Sequence, residues 1–264
     1  MRRRFFVERF AAGRAELRGE TAHHAGRVLR AEPGQLYELS DGREVWLARI
    51  ERVRRDAVEF TLLEPVPVVL PALETVLALS IVKFDRFEWA LEKATELNVA
   101  AIIPLAAARS EMGLVAAAPK RAARWEKILL EAAQQSRRLR PPVLFPLAPS
   151  STNYLSRGHE ACFTPQKRGS AQESGQDASM LRFCFSEAKD AASLHSALEH
   201  APRTDHILLA FGPEGGWTEE ERRAASEAHW AEVSLGPNIL RTETAVVAAL
   251  AAVNYAWGGF EGQG

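Results

Sequence analysis

Along the first part of the chain, hydrophobic and polar positions alternate with a period of two. The runs are Gln35–Leu39, Glu44–Ile50 and Ala57–Leu62, and the turn Ser40-Asp-Gly42 separates the first two. Strict alternation marks half-buried strands, and Asp-Gly between such runs marks a hairpin. These residues predict a small β barrel, with a short helix over Thr21–Leu29 ahead of it. Glu64-Pro-Val-Pro-Val-Val-Leu-Pro71 then interrupts any ladder, because proline donates no backbone hydrogen bond. The chain therefore divides into domains over 1–68 and 72–264, with the linker near residues 64–72.

Beyond the linker, short apolar runs alternate with amphipathic stretches. Strands are expected at Thr75–Val82, Val99–Pro104, Val143–Pro146, Leu181–Phe185 and His206–Phe211. Helices are expected at Phe84–Leu97, Lys120–Arg138, Ala191–His200 and Thr218–Ala228. This order implies an α/β fold, a mostly parallel sheet with helices on both faces. Residues 148–180 are rich in Ser, Gln, Gly and charge without a readable period, and read as a mobile surface insertion.

Within this scheme the stretch Gly212-Pro213-Glu214-Gly215-Gly216 lies between an apolar strand and Thr218-Glu-Glu-Glu221, which has capping-box spacing. Glycines at the carboxyl end of a strand let backbone approach a ligand. A carboxylate in such a loop repels phosphate, so Glu214 favours a neutral or cationic small molecule. Plain turn punctuation explains the same glycines. A second glycine-proline strand exit, Leu235-Gly-Pro-Asn-Ile-Leu240, leads into an Ala/Val-rich helix that runs to Trp257, and the two exits are candidates to line one pocket. That last helix is apolar on nearly every side, which calls for burial on more than one face or a partner subunit.

Composition narrows the function classes little. The 264 residues are 47% hydrophobic, and 33 basic against 34 acidic residues give a net charge of −1, so whole-chain charge is no evidence for nucleic acid. Arginines do cluster, at 2–4, at 52–55 and at 137–140. Cys162 and Cys184 read as free thiols, making neither a disulfide framework nor a metal site. With no apolar leader segment or membrane-length run, a cytoplasmic location is expected.

Several clusters carry candidate chemistry. Lys83-Phe-Asp-Arg-Phe-Glu88 stands where a strand becomes a helix; its bland reading is a helix start with Asp85 as cap and Glu88 completing a box. Glu92, Lys93 and Glu96 read as helix-face ion pairs. Gln134-Gln-Ser-Arg-Arg-Leu-Arg140 offers amides, a hydroxyl and three guanidinium groups, suited to phosphate forks or simply to a helix C-terminus. His23 and His24, beside Arg27 and Arg30, face RNA or plain solvent. Arg241 is the leading working charge, standing between two apolar stretches, and Thr242 or Thr244 is a candidate cap.

The two loops, with Arg241-Thr-Glu-Thr-Ala245, resemble the cofactor signature of the SPOUT methyltransferases, and within them the 16S ribosomal RNA uridine N3 methyltransferases of the RsmE type. Further matches are Arg4-Phe-Phe-Val, His24 with Val28-Leu-Arg30, Lys83 with Asp85-Arg86 and Glu88, Lys93-Ala-Thr-Glu-Leu97, and Glu131-Ala-Ala with Gln135, Ser136, Arg138 and Arg140. The resemblance implies an N-terminal PUA-like barrel that holds RNA, a C-terminal domain threaded as a trefoil knot, and a homodimer. It also implies S-adenosylmethionine as cofactor, held by Phe211, Gly212, Pro213, Glu214, Gly215, Gly216, Leu235, Gly236, Ile239, Leu240, Thr244 and Ala245. RNA contacts are implied for Arg3, Arg4, His24, Arg27, Arg30, Lys83, Arg86, Gln135, Ser136, Arg138 and Arg140. The expected activity is methylation of N3 of a small-subunit ribosomal uridine, the RNA being met within an assembled ribosomal particle, with no metal and no membrane. Arg241 is then expected to stabilise charge on the uracil oxygens or to anchor a phosphate. Glu243 is a candidate proton acceptor, with orientation of Arg241 or helix capping as its other readings. A SPOUT enzyme acting on another RNA or base, or an inactive RNA-binding module, stays open. Departures from the family pattern are the long insertion, Trp217 for a commoner phenylalanine, and Asn98 for a glycine.

Overall fold

A computed structural model describes residues 3–23, 26, 31–157 and 180–258. The residues fall into two compact units, one of residues 1–70 with 130–141, the other of residues 71–129 with 142–264.

In the smaller unit, β1 (Arg4–Phe6), β2 (Arg14–Arg18), β3 (Leu36–Ser40), β4 (Val45–Val53) and β5 (Ala57–Pro65) form a curled sheet of order β1-β3-β4-β5-β2. Helix α1 (Gly19–His23) follows β2. The turn between β3 and β4 works as its sequence predicts: Asp41 Oδ1 accepts from the backbone N–H of Arg43 and Glu44, and Gly42 takes φ +84. Inward positions Phe5, Leu17, Leu39, Ile50, Val58 and Phe60 make the core. β1 and β2 escaped the sequence reading because each is short and edge-placed, so neither shows a full period.

The larger unit is built on a seven-stranded sheet in which every pairing is parallel. Its strands are β6 (Glu74–Ser80), β7 (Ala101–Leu105), β8 (Val143–Leu144), β9 (Leu181–Phe185), β10 (Ala192–Ser193), β11 (His206–Phe211) and β12 (Ala231–Ser234), in the order β10-β12-β9-β11-β6-β7-β8. Alternate residues serve opposite faces. Leu77, Leu79, Ile207, Leu209 and Phe211 pack against helices α2 (Phe84–Glu96), α6 (Leu194–His200) and α8 (Thr242–Trp257). Val76, Ala78, Leu208 and Ala210 pack on the other face, where α5 (Ser151–Arg157) and α7 (Glu219–Glu227) lie. Burial on both faces explains why these strands read as unbroken apolar runs. The long helix expected from Lys120 is α4 (Ala122–Gln135), preceded by α3 (Met112–Ala117) and a 3₁₀ turn at Ala118–Arg121. Among the described residues, no helix is long and apolar enough to cross a membrane.

Three local expectations need correction. Residues 148–157 belong to the packed fold, with Ala148 bridged to Leu105, Leu155 fully buried and the Trp230 indole N–H donating to the Leu155 carbonyl at 3.0 Å. Polar composition concealed this, because Ser151 and Tyr154 are used in burial rather than at the surface. Residues 158–179, including Cys162, lie outside the described residues. At the start of α2 the N-cap is Lys83 and no side chain caps it; Glu88 instead pairs with Arg124 at 2.8 Å and with Arg121 at 3.5 Å. Arg241 is the N-cap of α8, again with no side-chain cap. The Glu92–Lys93–Glu96 pairs form as expected, at 2.7 and 2.8 Å.

Asn98 follows the C-cap of α2 at φ +70, the left-handed region that favours glycine. Asparagine tolerates it better than other side chains, so the departure from glycine costs little. Replacement Asn98→Gly is expected to raise stability by about 0.5–1 kcal/mol, read as a higher denaturant midpoint at unchanged slope.

The capping box at α7 reaches further than its helix. The Thr218 hydroxyl accepts from Glu221 N–H at 3.3 Å, while Glu221 Oε2 accepts from Thr218 N–H at 2.7 Å. Glu221 Oε1 also accepts from Ala108 N–H at 3.0 Å and from the Ser151 hydroxyl. Burial pushes this carboxyl upward, but the donors from Ser151, Thr218 and Ala108 outweigh it and hold it below the ordinary 4.5. Its contribution to stability is therefore present above about pH 4.5 and is lost as pH falls through the folded value. Glu221→Ala is expected to cost about 2–4 kcal/mol at neutral pH, and Glu221→Gln to flatten the acid limb of stability against pH.

Candidate cofactor and RNA site

Strands β12, β9 and β11 are neighbours, so their carboxyl ends open side by side. Parallel sheets place ligands at such an edge. A cavity of about 490 Å³ lies there, lined by Phe211 to Trp217 after β11, by Phe185 to Ala188 after β9, and by Ser234 to Thr242 with Ala245 after β12. The two glycine-proline exits thus meet, as their similarity predicts. Phe185 and Phe211 stack at 4.3 Å and 6°, giving the cavity a flat apolar wall.

Backbone shape explains two of the glycines. A Cβ on Gly212 would stand 3.2 Å from Trp217, tighter than ordinary contact, so the loop and the indole approach only because the side chain is absent. Gly216 takes φ +68 and closes a turn by donating its N–H to the Pro213 carbonyl at 2.8 Å. Trp217 does what phenylalanine cannot: its indole N–H donates to the Phe185 carbonyl at 2.9 Å, tying the β11 exit to the end of β9. From the other side, Arg109 Nη1 donates to the carbonyls of Gly215 at 2.7 Å and Trp217 at 3.3 Å. Thr242 caps nothing; its hydroxyl donates to the Gly212 carbonyl at 3.3 Å and joins the two exits.

Of the residues assigned by resemblance, Phe211, Gly212, Pro213, Glu214, Gly215, Gly216, Leu235, Gly236, Ile239, Leu240 and Ala245 line the cavity, as does Arg241. Thr244 is exposed and lies off the lining. Arg241 is exposed at the rim and forms no ion pair or side-chain hydrogen bond among the described residues. Glu243 is off the lining too: one carboxylate oxygen stands 3.8 Å from Arg86 Nε, and the other is buried without a hydrogen-bond partner among the described residues. Arg86 also donates to Glu214 at 3.0 Å. Glu214 is therefore charge-matched, and the exclusion of phosphate argued from its lone carboxylate loses its force. Ile239 is 80% exposed at the cavity, an apolar side chain with no protein cover.

The residues assigned to RNA are less uniform. Arg4 is buried, paired with Glu38 at 2.8 Å and donating to the Arg137 carbonyl, so it braces the smaller unit instead of facing solvent. Arg138 is half-buried, and burial first, then Arg140, lowers its guanidinium to about 10. Ser136 donates back to the Ala132 carbonyl at 2.7 Å. Gln135, Arg140 and Lys83 are exposed, and Arg3 is half-buried. His24, Arg27 and Arg30 lie outside the described residues. Cys184 is buried, and burial pushes its thiol well above the usual range, which removes it from nucleophilic roles. Among the described residues no group of acidic, His or Cys side chains could hold a metal ion.

Sequence reasoning missed Arg109, Trp217 and the Phe185–Ala188 segment as cavity residues. The last was within reach, since Phe185 ends a predicted strand and strand ends are where ligands sit. Arg109 carried no local signal at all, being brought to the loop only by the sheet.

Comparison with known proteins bears on this geometry. Residues 70–254 match the model of an RNA methyltransferase domain, and residues 17–63 that of an RNA methyltransferase PUA domain. Ribosomal RNA small subunit methyltransferase E of Bacillus subtilis is 33% identical over 90% of this chain and 88% of its own. That of Mycobacterium tuberculosis is 32% identical over 89% and 84%. Among solved structures, the Neisseria gonorrhoeae methyltransferase E bound to S-adenosyl methionine has TM-score 0.81 at 30% identity, covering 98% of this chain and 100% of that one. The fold and cavity place the chain in the RNA methyltransferase class, and it belongs to the family of the ribosomal RNA small subunit methyltransferases E.

The Trp217 bridge is testable by itself. Trp217→Phe is expected to destabilise the protein by about 1–2 kcal/mol in denaturant unfolding, through the lost hydrogen bond and the stranded Phe185 carbonyl.

Proposed function

We propose that this protein is an S-adenosylmethionine-dependent methyltransferase acting on N3 of a uridine in small-subunit (16S) ribosomal RNA. The observation that carries the reading is the single cavity walled by two glycine-proline strand exits, with Arg241, unpaired among the described residues, at its rim. Its residues fit the cofactor. The stacked Phe185–Phe211 wall and Leu235 and Leu240 suit a flat heterocycle, and the glycine loops present backbone groups to polar edges. The names of the relatives and the ligand of the Neisseria structure support the same assignment.

When bound, S-adenosylmethionine supplies a methyl group activated on a sulfonium. The chain's own task is positioning. Trp217, Arg109 and Thr242 fix the loops that hold the cofactor. Arg241 faces the cavity with its guanidinium unspent, and stabilises negative charge developing on the uracil oxygens or holds the adjoining phosphate. Glu243 acts through Arg86, orienting it toward Glu214. The N3 edge is the pairing edge of the base, so the uridine enters unpaired or flipped, and as N3 takes the methyl from the sulfonium its proton is released to solvent. In this reading residues 1–68 are the PUA-like RNA-binding domain and 72–264 the methyltransferase domain. RNA is held on the smaller unit by Arg3, Gln135, Ser136, Arg138 and Arg140 with His24, Arg27 and Arg30, and on the larger by Lys83 and Arg86, while Arg4 braces the smaller unit through Glu38. The knotted threading and the cytoplasmic homodimer belong to the same proposal. The outward side of α8, where Tyr255 is 92% exposed, supports a partner subunit there.

The test is methyl transfer from labelled cofactor to deproteinised RNA and to assembled small subunits, with mapping of the modified nucleotide. Label at a uridine N3 of small-subunit RNA is expected, and label on transfer or large-subunit RNA would refute the substrate. Arg241→Ala is expected to slow transfer by about 100-fold or more while calorimetry shows cofactor affinity little changed. Equal loss of both would make Arg241 a pocket residue instead.

A further inference from the structure

Beside the cofactor cavity lies a second, smaller one of about 290 Å³, at the carboxyl end of β6 and the start of α2. Ile81, Val82 and Leu114 give it apolar sides, and Lys83, Arg86, Glu111 and Glu214 give it both signs of charge. We infer that this cavity seats the target base, reading the pairing edge of uracil. The inference rests on the methyltransferase reading above.

Three observations carry it. First, Glu214 lines both cavities, so the smaller lies directly beside the larger. Transfer demands such adjacency, since reacting atoms must come within about 3–3.5 Å. Second, the polar lining matches one base better than the others. The uracil edge presents a carbonyl, an N–H and a second carbonyl, and the cavity offers ammonium and guanidinium donors with carboxylate acceptors. Cytosine would turn an amino group and a bare ring nitrogen toward that same set, leaving a donor facing cations or an acceptor facing a carboxylate. Third, Lys83 is exposed and its ammonium has no partner among the described residues, whereas Arg86 is fixed by Glu214 and Glu243. One donor is thus pre-set and one is left for the ligand. The apolar residues suit the faces of a flat ring taken out of its stack.

The full-length protein can be tested with small-subunit RNA carrying 4-thiouridine in place of uridine, irradiated and mapped by mass spectrometry. Crosslinks are expected within residues 81–86 or 111–114. Leu114→Trp, which fills the cavity from its apolar side, is expected to lower kcat/KM for RNA by about 100-fold while the Kd for S-adenosylmethionine stays within about twofold. Lys83→Met is expected to raise KM for RNA by about tenfold, with recovery in Lys83→Arg, and this arm decides the matter if circular dichroism shows Leu114→Trp unfolded. Crosslinks confined to other segments, or unimpaired transfer by both Leu114→Trp and Lys83→Met, overturn the inference while leaving the methyltransferase reading in place. A wild-type protein that neither binds S-adenosylmethionine nor methylates small-subunit RNA overturns both.

Discussion

The carboxylate of Glu221 collects hydrogen bonds from Thr218, Ala108 and Ser151, and the arrangement of the candidate site follows from that meeting point. Through Thr218 it fixes where α7 begins, and so where the glycine loop must end. Through Ala108 it holds the segment after β7 whose next residue, Arg109, reaches the Gly215 and Trp217 carbonyls. Trp217 in turn occupies the space a Gly212 side chain would need and bonds the end of β9. A buried charge persists only where its donors are in place, so the network is cooperative: removing one member leaves the others unsatisfied. The cavity is preorganised by groups that mostly do not face its ligand.

Charge in the larger unit is arranged on a similar plan. Arg86 spans Glu214 of one loop and Glu243 of the helix that follows the other, so one guanidinium relates the two walls of the cofactor cavity. Arg222 is likewise committed, held by Glu232 at 2.8 Å. Against these paired charges it is informative that Arg241 and Lys83 have no ion pair among the described residues, because an unmatched cation at a cavity is a group waiting for an anion or a carbonyl. The site separates into charges that hold the scaffold and charges left for ligands.

The pairing of Glu214 shows how a sound local argument is changed by a distant residue. From the pentapeptide alone, its carboxylate excludes phosphate; with Arg86 beside it, 128 positions away in sequence, that exclusion no longer follows. The same holds for Arg4, to which the family resemblance assigns an RNA contact and which instead closes an ion pair with Glu38. Residue type and spacing state what a group can do. They do not state which neighbour has already used it.

What was legible in the sequence was whatever depends on near neighbours: the strand runs at Leu181–Phe185 and His206–Phe211, the Thr218–Glu221 box, the Asp41-Gly42 turn, the ion pairs of Glu92, Lys93 and Glu96, and the likeness of the two glycine-proline exits. Each is a matter of period or of three- to four-residue reach, which the backbone fixes wherever the segment lies. Only tertiary structure decided that β9, β11 and β12 stand together, that Arg109 and Arg86 arrive at the first loop, and that a second cavity opens against Glu214. Those facts depend on strand order in a parallel sheet, where neighbours in space are separated by whole crossovers in sequence, and no local pattern records which strand will lie beside which.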